Sequence, residues 1–273
     1  MDLTHIIAVG EPRGTILLLH GYAEHAGRYS SLIETFAAAG YDVFFYNQPG
    51  HGGEPGPAAR VDVAELITLH RRARALVAER MRTDRLILFG HSMGGVITAA
   101  SALIDPSGLA AVMLSGPAFR ARPELPGGIA RLGYRLAIYL PFLPVTTLDP
   151  TNISRDPDVV RDYKDDQLVY QGPVSLLSGA SMAVHGRRAL DHAHRWDTSV
   201  PLFIAHGDAD SIANVEGSCE FAAAVRRAGG SAHLVTVPGG YHEILRDPGH
   251  ELLERQMVEW LDLHGLHARA SVN

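Results

Sequence analysis

Apolar residues in this chain fall into short unbroken runs separated by stretches with helical spacing. Residues 15–19, Thr-Ile-Leu-Leu-Leu, carry no polar alternation. Such a run is what a strand buried on both faces requires. Residues 31–39 read as a helix closed by Gly40, and residues 41–46 read as the next strand. Residues 61–81 predict a helix with an apolar stripe of Leu66, Leu69, Ala73, Leu76 and Val77. Residues 85–89 form another apolar run, residues 96–103 a small-residue helix, and residues 109–115 a further strand. This alternation predicts a mostly parallel sheet covered by helices on both faces.

The alternation stops between Pro117 and Trp196, where no convincing strand pattern occurs and prolines are frequent. It resumes with apolar runs at residues 200–205 and 232–237. The expected organisation is a core of residues 1–116 and 197–273, with residues 117–196 inserted as a helical cap. A cap in that place lies over the carboxyl ends of the strands, where open α/β sheets bind ligands. Its most apolar stretch is residues 129–140. There Leu132, Leu136 and Leu140 recur at helical spacing, and Arg131 and Arg135 share another face. A helix buried on the core and a lip that touches lipid both fit this pattern.

The chemistry is concentrated at three strand ends. Gly90-His91-Ser92-Met93-Gly94 follows the run at 85–89 and precedes the small-residue helix. This is the G-x-S-x-G pattern in the strand–turn–helix context of a nucleophile elbow. The run at 200–205 leads into His206-Gly207-Asp208-Ala209-Asp210, so Asp208 and Asp210 are both candidates for the carboxylate that orients a general base. The run at 232–237 leads to Gly239-Gly240-Tyr241-His242-Glu243. His233 lies inside that strand and His250 at the start of the last helix, whereas His242 sits just past a strand end. Among 15 histidines, that position marks His242 as the candidate base. Acyl transfer also needs donors to the oxyanion. The Met93 amide, just after the nucleophile, and the Tyr22 amide, in the loop after the first apolar run, are placed to serve.

Composition narrows the class. The chain has 273 residues, 46% hydrophobic and 20% charged, with a formal net charge of −6. Those values fit a globular protein and argue against a nucleic-acid partner. No apolar run reaches the roughly 18 residues of a membrane span, and the first residues lack the basic and apolar regions of a signal peptide. The expectation is a cytoplasmic protein. Cys219 is the lone cysteine and reads as an inert thiol. The histidines lack ligand spacing, and the loop at 50–57 lacks the lysine of a phosphate loop, so no metal or organic cofactor is implied. Nothing in the pattern signals an oligomeric state.

Taken together, these segments resemble the monoacylglycerol lipase family of α/β-hydrolases. His20-Gly21-x-x-Glu24-His25-x-Gly27-Arg28-Tyr29 is similar to that family's H-G-x-x-E-H-x-x-R-Y segment. Gly50-His51-Gly52 resembles the end of its D-x-x-G-H-G segment, and Gly90-His91-Ser92-Met93-Gly94-Gly95 its elbow. Residues 153–160, with Tyr163, Asp166, Leu168 and Val169, resemble its cap motif. The resemblance implies an α/β-hydrolase fold and assigns the acid to Asp210, leaving Asp208 as a turn residue. It implies a serine ester hydrolase that cleaves monoacylglycerols, with Glu24 and Arg28 either near the glyceride head or paired with each other. Its partners would be a lipid or ester substrate and, through the cap, a transient membrane or micelle surface. General carboxylesterase, lysophospholipase, amide hydrolase, carbon–carbon hydrolase and haloperoxidase-like activities share the scaffold. A non-catalytic binding protein is the remaining rival. Two departures stand out: Asn47 replaces the family's aspartate, and Tyr22 is bulkier than the residue usual at the oxyanion position, where its ring would narrow an acyl pocket.

Overall fold

The computed structural model describes residues 2–124 and 126–264. Its strands are β1 (Thr4–Ile6), β2 (Gly14–Leu19), β3 (Tyr41–Phe45), β4 (Leu86–His91), β5 (Leu109–Ser115), β6 (Pro144–Thr146), β7 (Val174–Ser175), β8 (Leu202–Gly207) and β9 (Ala232–Val237). Seven of them form one sheet in the order β1-β3-β2-β4-β5-β8-β9. Every pairing in it is parallel except that of β1 with β3. The predicted mostly parallel sheet is present. β1 carries no sequence signal, because an edge strand of three residues with mixed exposure has no apolar run to reveal it.

The helices are α1 (Ser30–Ala38), α2 (Val63–Ala78), α3 (Ser92–Ile104), α4 (Gly127–Leu136), α5 (Pro157–Asp165), α6 (Leu176–His192), α7 (Val215–Arg227) and α8 (His250–His264). Alternate residues of the central strands point to opposite faces. Leu17, Leu19, Leu88, Val112, Leu114 and Ile204 pack with α2, α3 and α7. Ile16, Leu18, Ile87, Phe89, Met113 and Phe203 pack with α1 and α8 on the other face. Both faces are therefore apolar, which is why β2, β4 and β8 read as continuous hydrophobic runs. Each such side chain contributes about 1.5–3 kcal/mol by leaving water.

Between β5 and β8 the chain leaves the sheet and forms the inserted cap region. Two short strands, β6 and β7, pair there in an antiparallel ladder, a correction to the expectation of no strand. With three and two residues, neither is long enough to show a period of two. The helix predicted at 129–140 runs from Gly127 to Leu136. Its small residues face the protein: Ala130 and Ala137 are buried, and Gly133 lies against Leu176 and Ala180 of α6. Its leucines face outward instead, with Leu132 58% and Leu136 48% exposed.

Polar contacts hold α4 and α6 to the core. The Asp62 carboxylate caps α2 by accepting from the Ala64 amide at 2.9 Å. It also accepts from the Ser181 hydroxyl at 2.8 Å and from the Tyr134 hydroxyl at 2.7 and 2.8 Å. Ser178 and Ser181 accept from the Val61 and Val63 amides at 3.0 and 2.9 Å. Losing an N-cap costs about 1 kcal/mol, and the added contacts raise that. Asp62→Ala should lower unfolding free energy by about 1–2 kcal/mol in urea titrations. Tyr134→Phe, which severs only the tie to α4, should cost less. Equal losses would mean that capping contributes nothing.

Candidate active site

The end of β4 passes directly into α3, and Ser92 is the turn. Its φ is +52°, a left-handed value that a serine adopts only under constraint. The constraint is crowding. A side chain at Gly94 would meet the His20 carbonyl oxygen at 2.3 Å, so the first turn of α3 lies against the end of β2. Register explains the contact, because Leu19 of β2 pairs with Gly90 of β4. The loop after β2 thus begins level with Ser92, and a Cβ on Gly21 would lie 3.1 Å from the Ser92 Cβ.

Two further strand ends complete the group. His242, past β9, has Nε2 2.9 Å from Ser92 Oγ and Nδ1 2.7 Å from Asp210 Oδ2, past β8. All three residues are buried. Oδ1 of Asp210 accepts from the Ile212 and Ala213 amides at 2.8 and 2.9 Å. His206 Nε2 lies 3.2 Å from Oδ2, and its Nδ1 pairs with the Ser218 hydroxyl at 2.7 Å. Burial alone would raise the Asp210 pKa. The facing His242 and the hydrogen bonds from His206 and His242 outweigh that and hold the carboxyl well below its usual range. Burial likewise disfavours a charged His242, but the Asp210 carboxylate overcomes it and lifts the imidazole above its ordinary 6.5. His91 lies beside His242, ring centroids 4.9 Å apart, and burial keeps its own pKa well down. Only one of the two adjoining rings is therefore readily charged.

Asp208 does other work. Its Oδ1 accepts from the Gly239 amide at 2.6 Å, tying the loop after β8 to the one that carries His242. Of the two carboxylates that the spacing allowed, Asp210 is the one brought to the imidazole.

The loop after β2 is held by polar contacts that motif spacing alone does not reveal. His20 Nδ1 donates to the Gly21 carbonyl at 2.8 Å, and Nε2 accepts from the Gln48 amide at 3.0 Å. Asn47, in place of the family's aspartate, accepts from the Ala26 amide at 2.9 Å and donates to the Gly52 carbonyl at 3.3 Å. An uncharged amide thus bridges both segments. Among the described residues, the Tyr22 and Met93 amides have no hydrogen-bond partner in the protein, which leaves both N–H groups available as donors. The Tyr22 ring packs edge-on to His51 at 5.8 Å. Its hydroxyl lies beside Ser178, which is already engaged with Ala59 and Val61, and so lacks a well-formed hydrogen bond.

Glu24 and Arg28 are buried and paired. Glu24 Oε1 accepts from the Gly21 amide at 2.5 Å and from the Tyr29 hydroxyl at 2.6 Å. Arg28 Nε lies 3.5 Å from Glu24 Oε2, and its Nη2 donates to Glu243 Oε2 at 2.6 Å. Burial and then the Glu243 charge push the Glu24 carboxyl up to about 7, against the pull of Arg28. Glu243 stood in the sequence motif without a role. Its partner is 215 residues away, a separation no local pattern can report. No cluster of three or more metal-ligating side chains occurs among the described residues, nor any helix long and apolar enough to cross a membrane.

Comparisons with known proteins agree with this geometry. A family model described as serine aminopeptidase, S33, matches residues 10–249. The monoacylglycerol lipase of Mycolicibacterium smegmatis is 34% identical over 255 residues, 93% of this chain and 90% of that protein. The crystal structure of a Paleococcus ferrophilus monoacylglycerol lipase superposes with a TM-score of 0.84 at 32% identity, covering 97% of this chain and all of that one. A thermostable carboxyl esterase from Bacillus coagulans shares the fold, with a TM-score of 0.85 at 22% identity over 96% of this chain and 94% of its own. A buried serine at a strained strand–helix turn, a sheet of this topology and these relatives lead to one assignment: the chain belongs to the monoacylglycerol lipase family of α/β-hydrolases and is a hydrolase of that type.

Proposed function

We propose that the protein hydrolyses monoacylglycerols to fatty acid and glycerol through an acyl-enzyme on Ser92. The observation that carries the proposal is the unbroken relay from Asp210 through His242 to Ser92, with links of 2.7 and 2.9 Å. In it His242 takes the hydroxyl proton as Ser92 Oγ attacks the ester carbonyl. The Tyr22 and Met93 amides receive the oxyanion, each worth about 3 kcal/mol at the transition state. Collapse of the tetrahedral intermediate breaks the bond to glycerol, which leaves with the proton from His242. Water then attacks the acyl-enzyme, again giving its proton to His242, and releases the fatty acid. Asp210 holds the imidazole with Nδ1 protonated, so that Nε2 is free to accept.

The substrate class rests on the cap. Beyond α4 the chain exposes Ile138 at 77%, Tyr139 at 79% and Phe142 at 66%, next to the outward Leu132 and Leu136. Large side chains grouped this way mark a surface that meets something apolar. We read it as a lip that rests on micelles or membrane while one acyl chain enters beneath it, as suits a cytoplasmic enzyme acting at lipid surfaces. The names of the M. smegmatis and P. ferrophilus relatives point to the same substrate.

Ser92→Ala should abolish both ester turnover and labelling by a fluorophosphonate while leaving the thermal midpoint near that of the parent. Asp210→Asn should lower kcat by about 10⁴-fold, because the imidazole loses the partner that sets its tautomer. Asp208→Asn, whose amide oxygen can still accept from the Gly239 amide, should lower it far less. The opposite ranking would place the acid at Asp208.

The pH profile has a defined sign. His242 must be neutral to accept the proton, and its pKa lies above histidine's ordinary 6.5. kcat/KM should therefore rise with pH through an apparent pKa above 6.5 and flatten once the imidazole is deprotonated. A plateau already reached well below that point would remove His242 as the base.

Chain length tests the substrate. Each methylene buried under the cap adds about 0.8 kcal/mol, or roughly fourfold in kcat/KM, until the space is filled. Triacylglycerols should react poorly. Leu136→Asp should weaken liposome binding and long-chain turnover more than hydrolysis of p-nitrophenyl acetate. Fast turnover of triolein, or indifference to chain length, would favour a general carboxylesterase.

A further inference from the structure

Arg28 sits where the two loops flanking Ser92 meet. The loop after β2 carries Gly21 and Tyr22, and Glu24 turns back to hold the Gly21 amide at 2.5 Å. The loop after β9 carries His242, and Glu243 is the next residue. One edge of the Arg28 guanidinium faces Glu24 at 3.5 Å, and another donates to Glu243 at 2.6 Å. The side chains are 3%, 5% and 8% exposed for Arg28, Glu24 and Glu243. The Tyr163 ring of α5 covers the guanidinium, 4.7 Å from its carbon to the ring centroid.

Two buried carboxylates sharing one cation are a poor device for stability. Desolvation of such a cluster is comparable to its Coulomb attraction, and apolar packing of the same volume does as well or better. The arrangement has another property. A guanidinium is a planar fork whose donors hold two acceptors in a fixed geometry, which an ammonium cannot do. Here one carboxylate, Glu243, accepts a hydrogen bond from Arg28 across 215 residues of sequence, and the other, Glu24, is held as an ion pair 3.5 Å from an Nε that has no hydrogen-bond partner. One of them is bonded to the amide immediately before Tyr22, and the other adjoins the base.

We infer that Arg28, held between Glu24 and Glu243, is a positioning residue that sets the oxyanion loop in register with the His242 loop. The inference rests on the serine-hydrolase reading of Ser92, Asp210 and His242. Displacing Gly21 displaces the adjoining Tyr22 amide, and a donor about 1 Å out of place can cost about 100-fold in rate. The competing role is direct contact with the glycerol end of the substrate, since the three residues also line a cavity of ≈ 360 Å³ that reaches His91 and the start of α8.

The test uses two conservative variants, Arg28→Lys and Glu243→Gln, in the full chain. Active sites are titrated with a fluorophosphonate, so that kcat refers to folded, competent enzyme. Each variant is assayed on a monoacylglycerol and on the p-nitrophenyl ester of the same acyl chain, and its Ki for a trifluoromethyl ketone, which forms a tetrahedral adduct, is measured. Positioning predicts that kcat falls about 10- to 100-fold on both substrates, with KM changed little. The ketone Ki should rise in the same proportion. A rise in KM confined to the monoacylglycerol would overturn the inference in favour of a substrate contact. An unchanged kcat per titrated site would reduce Arg28 to a structural ion pair. Should Arg28→Lys fail to fold, Glu243→Gln carries the same comparison, because its carboxamide still accepts from the guanidinium but without the charge. Turnover that survives Ser92→Ala would instead overturn the catalytic reading beneath the inference.

Discussion

The contact between the first turn of α3 and the end of β2 is the constraint on which the site depends. Gly94 lies so close to the His20 carbonyl that no side chain fits between them. With the helix pressed there, Ser92 has no room for an ordinary backbone conformation and takes φ +52°. Left-handed geometry at a residue with a Cβ costs on the order of 1–2 kcal/mol. Burial of Val96, Ile97, Ala99 and Ala102 against the sheet and its neighbouring helices offsets it. What results is a hydroxyl at the end of a rigid strand, with the Met93 amide behind it and the loop of Tyr22 alongside.

Electrostatics then distinguish groups of the same chemical type. Burial pushes His20, His51, His70, His91 and His185 down and keeps them neutral. The same burial acts on His242, yet there the Asp210 carboxylate wins. The carboxylates divide in a parallel way. Asp210 faces two backbone amides and two imidazoles and remains an anion. Glu24 shares one guanidinium with Glu243 and is raised to about 7. Donor supply therefore decides which buried acid is a dependable anion and which is poised between forms.

Much of this is readable from the chain, for a physical reason. Strands buried on both faces leave no choice but continuous apolar residues, so β2, β5 and β8 emerge from the hydrophobic pattern within a residue or two. Loops that follow strands inherit their position, which is why Ser92, Asp210 and His242, read from among many serines, aspartates and histidines, lie within hydrogen-bond reach of one another. Features with no run behind them were invisible. β1 and the ladder of β6 and β7 are too short to show a period. The outward leucines of α4 could not be told from buried ones by spacing, because spacing reports a face and not its neighbour. The pair of Arg28 with Glu243 is invisible for the same reason on a larger scale.

The cap is tied into these contacts at more than its own base. The Glu243 amide donates to the Ile153 carbonyl of the cap at 2.7 Å, and Tyr163 lies over Arg28. His25, next to Glu24, bonds Asp166 at the end of α5 at 2.8 Å, and the Tyr170 amide donates to the Ala23 carbonyl at 2.7 Å. Each tie joins a cap residue to one of the two loops that frame Ser92. Large apolar side chains, by contrast, are turned outward along α4 and the segment beyond it. The cap thus has one side specified by directional bonds to the loops around Ser92 and another that presents apolar area. In this fold, the placement of the cap and of the loops that carry Tyr22 and His242 rests on the same few contacts.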